Sequence, residues 1–489
     1  MRRPLHHPRR TTTALAAAVV SAVVLTTVPA SAATGGPGVG DPYFPDDGNP
    51  GYDVTHYDVR IGYDPARTDR LDGDTTVTAR ALTSLDRFSL DLKGFTVSSV
   101  AVNGTSAKTF SRAGAHKLVV TPARPVAKGT TFTVRVKYAG KPDAEGWHTL
   151  KSGGAYVTGE PHSATSWYPA NDHPSDKATF ALTATVPDGW KAIGNGLPGP
   201  ETVENGRRTF RWSEDSPMAT YASTVAIDRF TVHRGKTAAG TPVITAYSPD
   251  AKIDPAAEAQ QTEILDFLTT KFGPYPFSSA GAIVVGATKE PTGGPLALET
   301  QSRPTYGSTL FDASVVHENT HQWFGDSVSF EDWRDGCVAE CFAQYAGQLW
   351  EEHKGSDLDT DFYRSEVEDY RNDPSFWSVK LYDPGPGREL DSALYFKGSL
   401  MLHALRRTVG DEAFFTTLRT WTHDHAYGNA SFRQFEALAA KVSGKDLKGF
   451  FAAWVDGTVI PPEKYLYPGS LAGSAADAGA AGGATGRAR

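Results

Sequence analysis

Cysteine and methionine are nearly missing from this chain, with two Cys and three Met in 489 residues. Two cysteines cannot frame a disulfide-dense scaffold or a four-cysteine zinc ribbon, so the fold must rest on an apolar core. Positive charge is also scarce. Lys and Arg number 48 against 56 Asp and Glu, which gives a formal net charge of −8 and a pI near 6.0. No segment gathers Lys and Arg into a stripe, which argues against nucleic acid or an anionic membrane as the main partner. Long hydrophobic runs are lacking as well. The longest, ALAAAVVSAVVLTTV, holds roughly 15 residues, short of the ~20 that a membrane-spanning helix needs.

That run has a different reading. The basic stretch MRRPLHHPRRTTT precedes it, and Ala30-Ser31-Ala32 follows as an A-x-A cleavage site. The order is that of a signal peptide over residues 1–32, so the mature protein is expected to be secreted without a membrane anchor. Arg9-Arg10 leaves a twin-arginine route open beside the general secretory one. Export bears on Cys337 and Cys341, because a pair outside the cytosol favours a disulfide. Their i, i+4 spacing on a regular helix lies near the upper end of bridging distance, so a bridge requires Cys337 just ahead of the helix. A disulfide and two free thiols both stay open.

What is present falls into two patterns. From about residue 51 to 230, segments such as HYDVRIGYD, TFTVRVKYAG and ATFALTATVP alternate β-branched or aromatic residues with polar ones, broken by Gly, Pro, Asn and Asp. This predicts an antiparallel β domain of many short strands. From about Asp254 the period becomes helical in DPAAEAQQTEILDFLTTKF, with Gly and Pro in FGPYPF ending it. GAIVVGA reads as one strand, and helical patterns dominate from Phe311 to about Asp456. The expected division is a β domain over 33–235, a mainly helical domain over 236–468 and a low-complexity, disordered tail over 469–489.

The chemistry concentrates in VVHENTHQWFGD, residues 315–326. Asp312 or Ser314 can cap a helix here and Gly325 can end it. His317 and His321 then share one face and can hold one tetrahedral zinc, with Glu318 placed to reach a zinc-bound water. An H-E-x-x-H of this kind arises by chance roughly twice in a hundred chains of this composition. A catalytic zinc needs a third protein ligand. Asp326, Glu331, Asp332, Asp335 and Glu340 are the downstream candidates. In VAECFAQYAGQLW, Val338, Phe342, Tyr345 and Leu349 form the apolar stripe. Glu340 lies off it beside Ala343 and Gly347, where small neighbours let a second helix approach. The bland reading of Glu340 is a solvated acid, and the bland reading of Tyr395 is a core aromatic.

Eighteen residues separate His321 from Glu340. H-E-x-x-H-x18-E resembles the M1 family of zinc aminopeptidases. HQWFGD is similar to the family's HQWFGN, WRDGCVAECFAQY to its W-L-N-E-G-F-A segment, and FGPYPF is M1-like too. The matches run from about residue 42 to 467. The resemblance implies an α+β multidomain fold: an N-terminal antiparallel β-sandwich-like (saddle) domain, then a thermolysin-like, mainly helical catalytic domain. It implies one Zn2+ per chain held by His317, His321 and Glu340. LYFKGSLML is similar to the family's Y-x-K-G, which makes Tyr395 the catalytic tyrosine. GPLALETQSRP stands where the family has G-x-M-E-N, which makes Glu299 a binder of the substrate's α-amine, although Leu298 and Thr300 depart from that pattern. EPHSATSWYPANDHPSDKATF is similar to the family's F-P-C-x-D-x-P-x-x-K-A-x-F stretch, and places Glu160 on a second amine-anchoring position. Asp326 replaces the usual Asn and takes no firm role. Cys341 directly follows the third ligand, where a free thiolate would compete for zinc and a bridge to Cys337 would prevent that.

The expected function is secreted aminopeptidase activity on peptides with a free N-terminus, by a monomer. Glu318 serves as general base, and Tyr395 stabilises the oxyanion. The M1-like region closes near Ile460-Pro461-Pro462, so a short two-domain form without the family's large C-terminal helical domain is expected. Alternatives are a thermolysin-like endopeptidase, an epoxide hydrolase as in one M1 branch, and a binding protein with a vestigial zinc centre.

Overall fold

A computed structural model describes residues 38–289 and 297–472. The signal-peptide reading lies outside the described residues, as does most of the predicted tail. Residues 469–472 are folded, contrary to the tail reading. Leu471, a large apolar residue in that stretch, is fully buried, and Ser470 Oγ donates to Asp359 Oδ2 at 2.8 Å. Among the described residues no helix is long and apolar enough to cross a membrane.

The first half is built on a nine-stranded sheet. Its order is Leu197–Pro198, Arg207–Ala219, Lys177–Pro187, Tyr52–Tyr63, Leu71–Ala81, Thr131–Gly140, Thr96–Val102 and Thr105–Ser106, with Thr202–Glu204 beside Arg207–Ala219. Period-two patterning explains these strands. Lys177–Pro187 alternates half-buried and buried positions along its whole length, so one face packs and the other stays wetter. The sheet is mixed rather than purely antiparallel. Tyr52–Tyr63 pairs in parallel with Lys177–Pro187, with Tyr57 opposite Phe180 and Val59 opposite Leu182. Parallel neighbours need a long crossover, here supplied by the strands between residues 64 and 176, a relation that alternation cannot reveal. A four-stranded sheet, Lys191–Gly194, Val225–Asp228, Ala155–Val157 and Trp147–Thr149, leads the chain to Glu160.

A five-stranded sheet opens the second half, in the order Thr231–Lys236, Pro242–Tyr247, Ala280–Val284, Thr305–Tyr306 and Ala297–Leu298. Helix α1 (Pro255–Phe272) joins two of its strands. Asp254 caps α1 by accepting from Ala256 N and Ala257 N, and Pro255 starts it. Helix α2 (Asp312–Thr320) packs on α1 and on helix α3 (Glu340–His353), and α3 packs in turn on the helix Ser392–Val409. One continuous apolar cluster reaches from Tyr52 to Leu471. The β half and the helical half therefore share a core.

Candidate metal centre

Helix α2 begins without a side-chain cap. Asp312 is its first residue rather than its cap, and its carboxylate accepts from Gln260 Nε2 at 2.7 Å. Ser314 Oγ donates to the Phe311 carbonyl at 3.0 Å. The helix also stops before Gly325. His321 is already its C-cap, and Trp323 N turns back to Thr320 O at 3.0 Å. Tightening the last turn keeps both rings together, 4.8 Å between centroids. The turn that follows orients the second one. His321 Nδ1 lies 3.0 Å from the Phe324 carbonyl, which can only accept, so Nδ1 carries a proton and Nε2 is the nitrogen turned to a metal. Gly325 stands beside this turn at φ +124, where a Cβ would sit 3.2 Å from His321 Nδ1. Only glycine fits there without pressing on the ring.

Helix α3 begins at Glu340, which puts the carboxylate between the imidazoles. Glu340 Oε2 lies 3.2 Å from His317 Nε2 and 3.5 Å from His321 Nε2. This oxygen is buried and has no hydrogen-bond partner among the described residues. The candidate ligand atoms of His317, His321 and Glu340 all lie within 4.8 Å of one another. Three inward-facing lone pairs on two nitrogens and one oxygen, with an orphaned buried carboxylate oxygen among them, fit a zinc ion.

Cys337 and Cys341 are joined in a disulfide with Cα atoms 4.8 Å apart. Cys337 lies in the 3-10 segment Trp333–Val338 ahead of α3, and Cys341 in the first turn of α3. The bridge straddles Glu340. Gly347, read from sequence as a close-approach position, has nothing within 4 Å of a built Cβ. The glycine that lets two helices meet is Gly398, whose Cβ would lie 2.2 Å from Cys341 Sγ. It sits three residues after Tyr395, and the Tyr395 ring stacks on His317 with centroids 5.8 Å apart and planes 19° apart.

These groups line a cleft of about 340 Å³ together with Glu160, Glu299, Glu318, Phe311 and Gln344. Among the described residues four carboxylates face it, and no Lys or Arg lines it. Burial, reinforced by Glu299, pushes the Glu160 carboxyl well up. Burial also raises Glu318 and Glu299, with His321 opposing in both. Burial resists ionisation of Glu340 as well, but His321 and His317 overcome it and hold that carboxyl low. A buried cleft of this sign is satisfied by a metal dication and one further cation. Oxygens of Glu160, Glu299 and Glu340 come within 4.8 Å of one another, as do Glu299, Glu318 and His321.

Two features escaped the sequence reading. Lys177 reaches from the β half and donates to Asp326 O at 2.7 Å, Ser327 O at 2.9 Å and Gly428 O at 3.3 Å. It thereby grips the turn whose Phe324 carbonyl orients His321. Its signal in the sequence was the lysine of the K-A-x-F stretch, which opens the half-buried face of its strand and carried no role of its own. Phe311, 49% exposed at the mouth of the cleft, carried no motif. Asp326 is buried, and neither carboxylate oxygen has a hydrogen-bond partner among the described residues.

Comparisons with known proteins place both halves of the chain in one family. Residues 53–222 match the peptidase M1 N-terminal domain, and residues 295–454 match the peptidase family M1 domain. The M1 zinc metallopeptidase of Deinococcus radiodurans superposes with a TM-score of 0.79 at 32% identity, over 87% of this chain and 99% of that one. Tricorn protease-interacting factor F2 of Thermoplasma acidophilum is 27% identical over 62% of this chain and 40% of its own length. Aminopeptidase N of Streptomyces lividans is 27% identical over 62% of this chain and 38% of its own length. The match thus spans about two fifths of these two curated relatives.

Proposed function

The chain belongs to peptidase family M1, and on that premise we propose that it is a secreted zinc aminopeptidase acting on peptides with a free N-terminus. One observation carries this reading: four carboxylates and two imidazoles share a cleft that no Lys or Arg lines among the described residues. His317, His321 and Glu340 would hold one zinc ion. When bound, zinc supplies Lewis acidity, which acidifies a water and polarises the scissile carbonyl. The remaining cation demand falls on the substrate. Glu160 and Glu299 neutralise its terminal ammonium, fix the register at the first peptide bond, and leave a blocked N-terminus with unpaired acids. Glu318 takes a proton from the attacking water and returns it to the leaving amine. Tyr395 donates a hydrogen bond to the carbonyl oxygen as negative charge develops on it. The basic and apolar order of residues 1–32, ending in Ala30-Ser31-Ala32, supports export.

The test is hydrolysis of an aminoacyl p-nitroanilide with and without a chelator, with N-acetylated peptides alongside. Activity on the free-amine substrate, lost on chelation and restored by zinc, is expected. Glu318→Gln should keep one zinc and lose at least ~10³-fold in kcat. Normal turnover in that variant, or cleavage of acetylated peptides at internal bonds, would sink the assignment.

A further inference from the structure

Glu160 makes no side-chain hydrogen bond to the described residues, so its carboxylate stands where its backbone puts it. Upstream the chain is pinned. Thr158 N donates to Gly146 O at 3.1 Å, Thr158 Oγ1 contacts His148 Nε2 at 2.6 Å, and a Cβ on Gly159 would lie 2.3 Å from the Tyr221 carbonyl. Downstream, Pro161 has no N–H to give, and the next side chain is His162. His162 is held by residues that precede the first long strand. Its Nδ1 lies 2.6 Å from Asp47 Oδ2, in ion-pair contact. The Phe44 ring packs on its imidazole with centroids 4.4 Å apart.

The same short segment is also fastened to the helical half. Asp41 accepts from Trp333 N at 3.0 Å, where the turn toward Glu340 begins. Its other contacts are His173 Nε2 at 3.1 Å and the backbone of Tyr43 and Phe44 at 2.7 and 3.0 Å. Tyr43 Oη donates to Asp383 Oδ1 and accepts from Gly385 N, both at 2.7 Å. Asn49 Nδ2 reaches Asp91 Oδ2 at 2.7 Å. Asp41, Asp47 and Asn49 are all at most 4% exposed. This is heavy polar anchoring for nine residues outside either domain's sheet.

We propose that residues 41–49 act as a strap that positions the amine-binding Glu160, with Asp47 and Phe44 holding His162 and Asp41 tying the strap to the Trp333 turn. The proposal rests on the aminopeptidase reading above. Asp47, Phe44 and His162 are positioning residues, since none of them lines the cleft. Their loss should therefore weaken ammonium binding while the zinc ligands, Glu318 and Tyr395 stay in place.

The experiment measures KM and kcat on an aminoacyl p-nitroanilide, zinc affinity by chelator competition, and thermal melting. His162→Ala and Asp47→Asn should each raise KM about tenfold, in keeping with the loss of one charge-assisted contact. Under the proposal kcat, zinc affinity and melting temperature stay close to those of the parent. His162→Gln, which keeps an N–H toward Asp47, should recover most of the KM. An unchanged KM in His162→Ala and Asp47→Asn overturns the proposal. A fall in kcat, zinc affinity and melting temperature together with KM overturns it too, because that pattern marks general destabilisation. Glu160→Gln separates the two levels. If it raises KM and His162→Ala does not, the strap alone is refuted. If it leaves KM unchanged, the amine-binding role of Glu160 falls and the strap's role with it.

Discussion

Gly398→Ala is the sharpest small perturbation of this site. A methyl there would meet Cys341 Sγ at 2.2 Å, its Cβ at 2.7 Å and its Cα at 3.2 Å. Ordinary contact is about 3.5–4.0 Å, so the helix Ser392–Val409 and α3 would have to part by roughly 1.3–1.8 Å. The sulfur cannot swing aside, because it is bonded to Cys337, and the other two atoms are helix backbone or fixed to it. The cost should reach or exceed the ~1–3 kcal/mol of an overpacked core. The displaced helix carries Tyr395, and the helix it moves from carries Glu340. A misplacement near 1 Å between reacting groups costs on the order of 10²-fold in turnover. Glu160 and Glu299 sit on other elements, so KM should stay within about threefold. Gly347→Ala is the matched control, with nothing within 4 Å of its Cβ and ~0.5–1 kcal/mol to gain in a helix. Melting by calorimetry and kcat on an aminoacyl p-nitroanilide read both variants. A Gly398→Ala protein that melts within about 1 °C of the parent and turns over at the same rate would refute the packing argument.

Two further outcomes follow from buried charges. Lys177→Met strands three carbonyls at ~1–3 kcal/mol each if they stay dry, and loosens the turn that orients His321. Zinc affinity by chelator competition should fall about 10–100-fold, and an unchanged dissociation constant would show that the turn holds itself. Asp335 concerns pH. Burial raises its carboxyl to about 7 against the opposing hydrogen bond from Phe432 N. The folded chain therefore keeps a proton that the unfolded chain releases above pH ~4. Stability from this group is present at low pH and falls as pH rises from about 4 to about 7, by roughly 2–4 kcal/mol. Asp335→Asn keeps the acceptor for Phe432 N and should flatten that slope. Parallel pH–stability curves from denaturant unfolding would count against it.

Local pattern and motif carried much of this protein. Alternation along ATFALTATVP and the helical period of PAAEAQQTEILDFLTTKF reflect burial that repeats every two or 3.6 residues, so they are legible in one dimension. His317, Glu318 and His321 are legible for the same reason, since one helix turn relates them. Glu340 was reached only through the family's H-x18-E pattern, since on its own helix it reads as a solvated acid. The parallel pairing of Tyr52–Tyr63 with Lys177–Pro187 had no such signature, as either direction satisfies the same alternation. Cap chemistry misled at both ends of α2, where tertiary partners claimed Asp312 and a tight turn ended the helix before Gly325.

The amino-acid sequence by itself determined which groups could do chemistry and which helix would present two of them. The tertiary structure alone decided what surrounds them. Lys177 under the His321 turn, Gly398 against the disulfide beside Glu340, and Asp47 behind His162 lie 144, 57 and 115 positions from the residues they serve. Each depends on a contact between elements that no period in the chain encodes, because packing pairs side chains by shape and charge once the backbones have met.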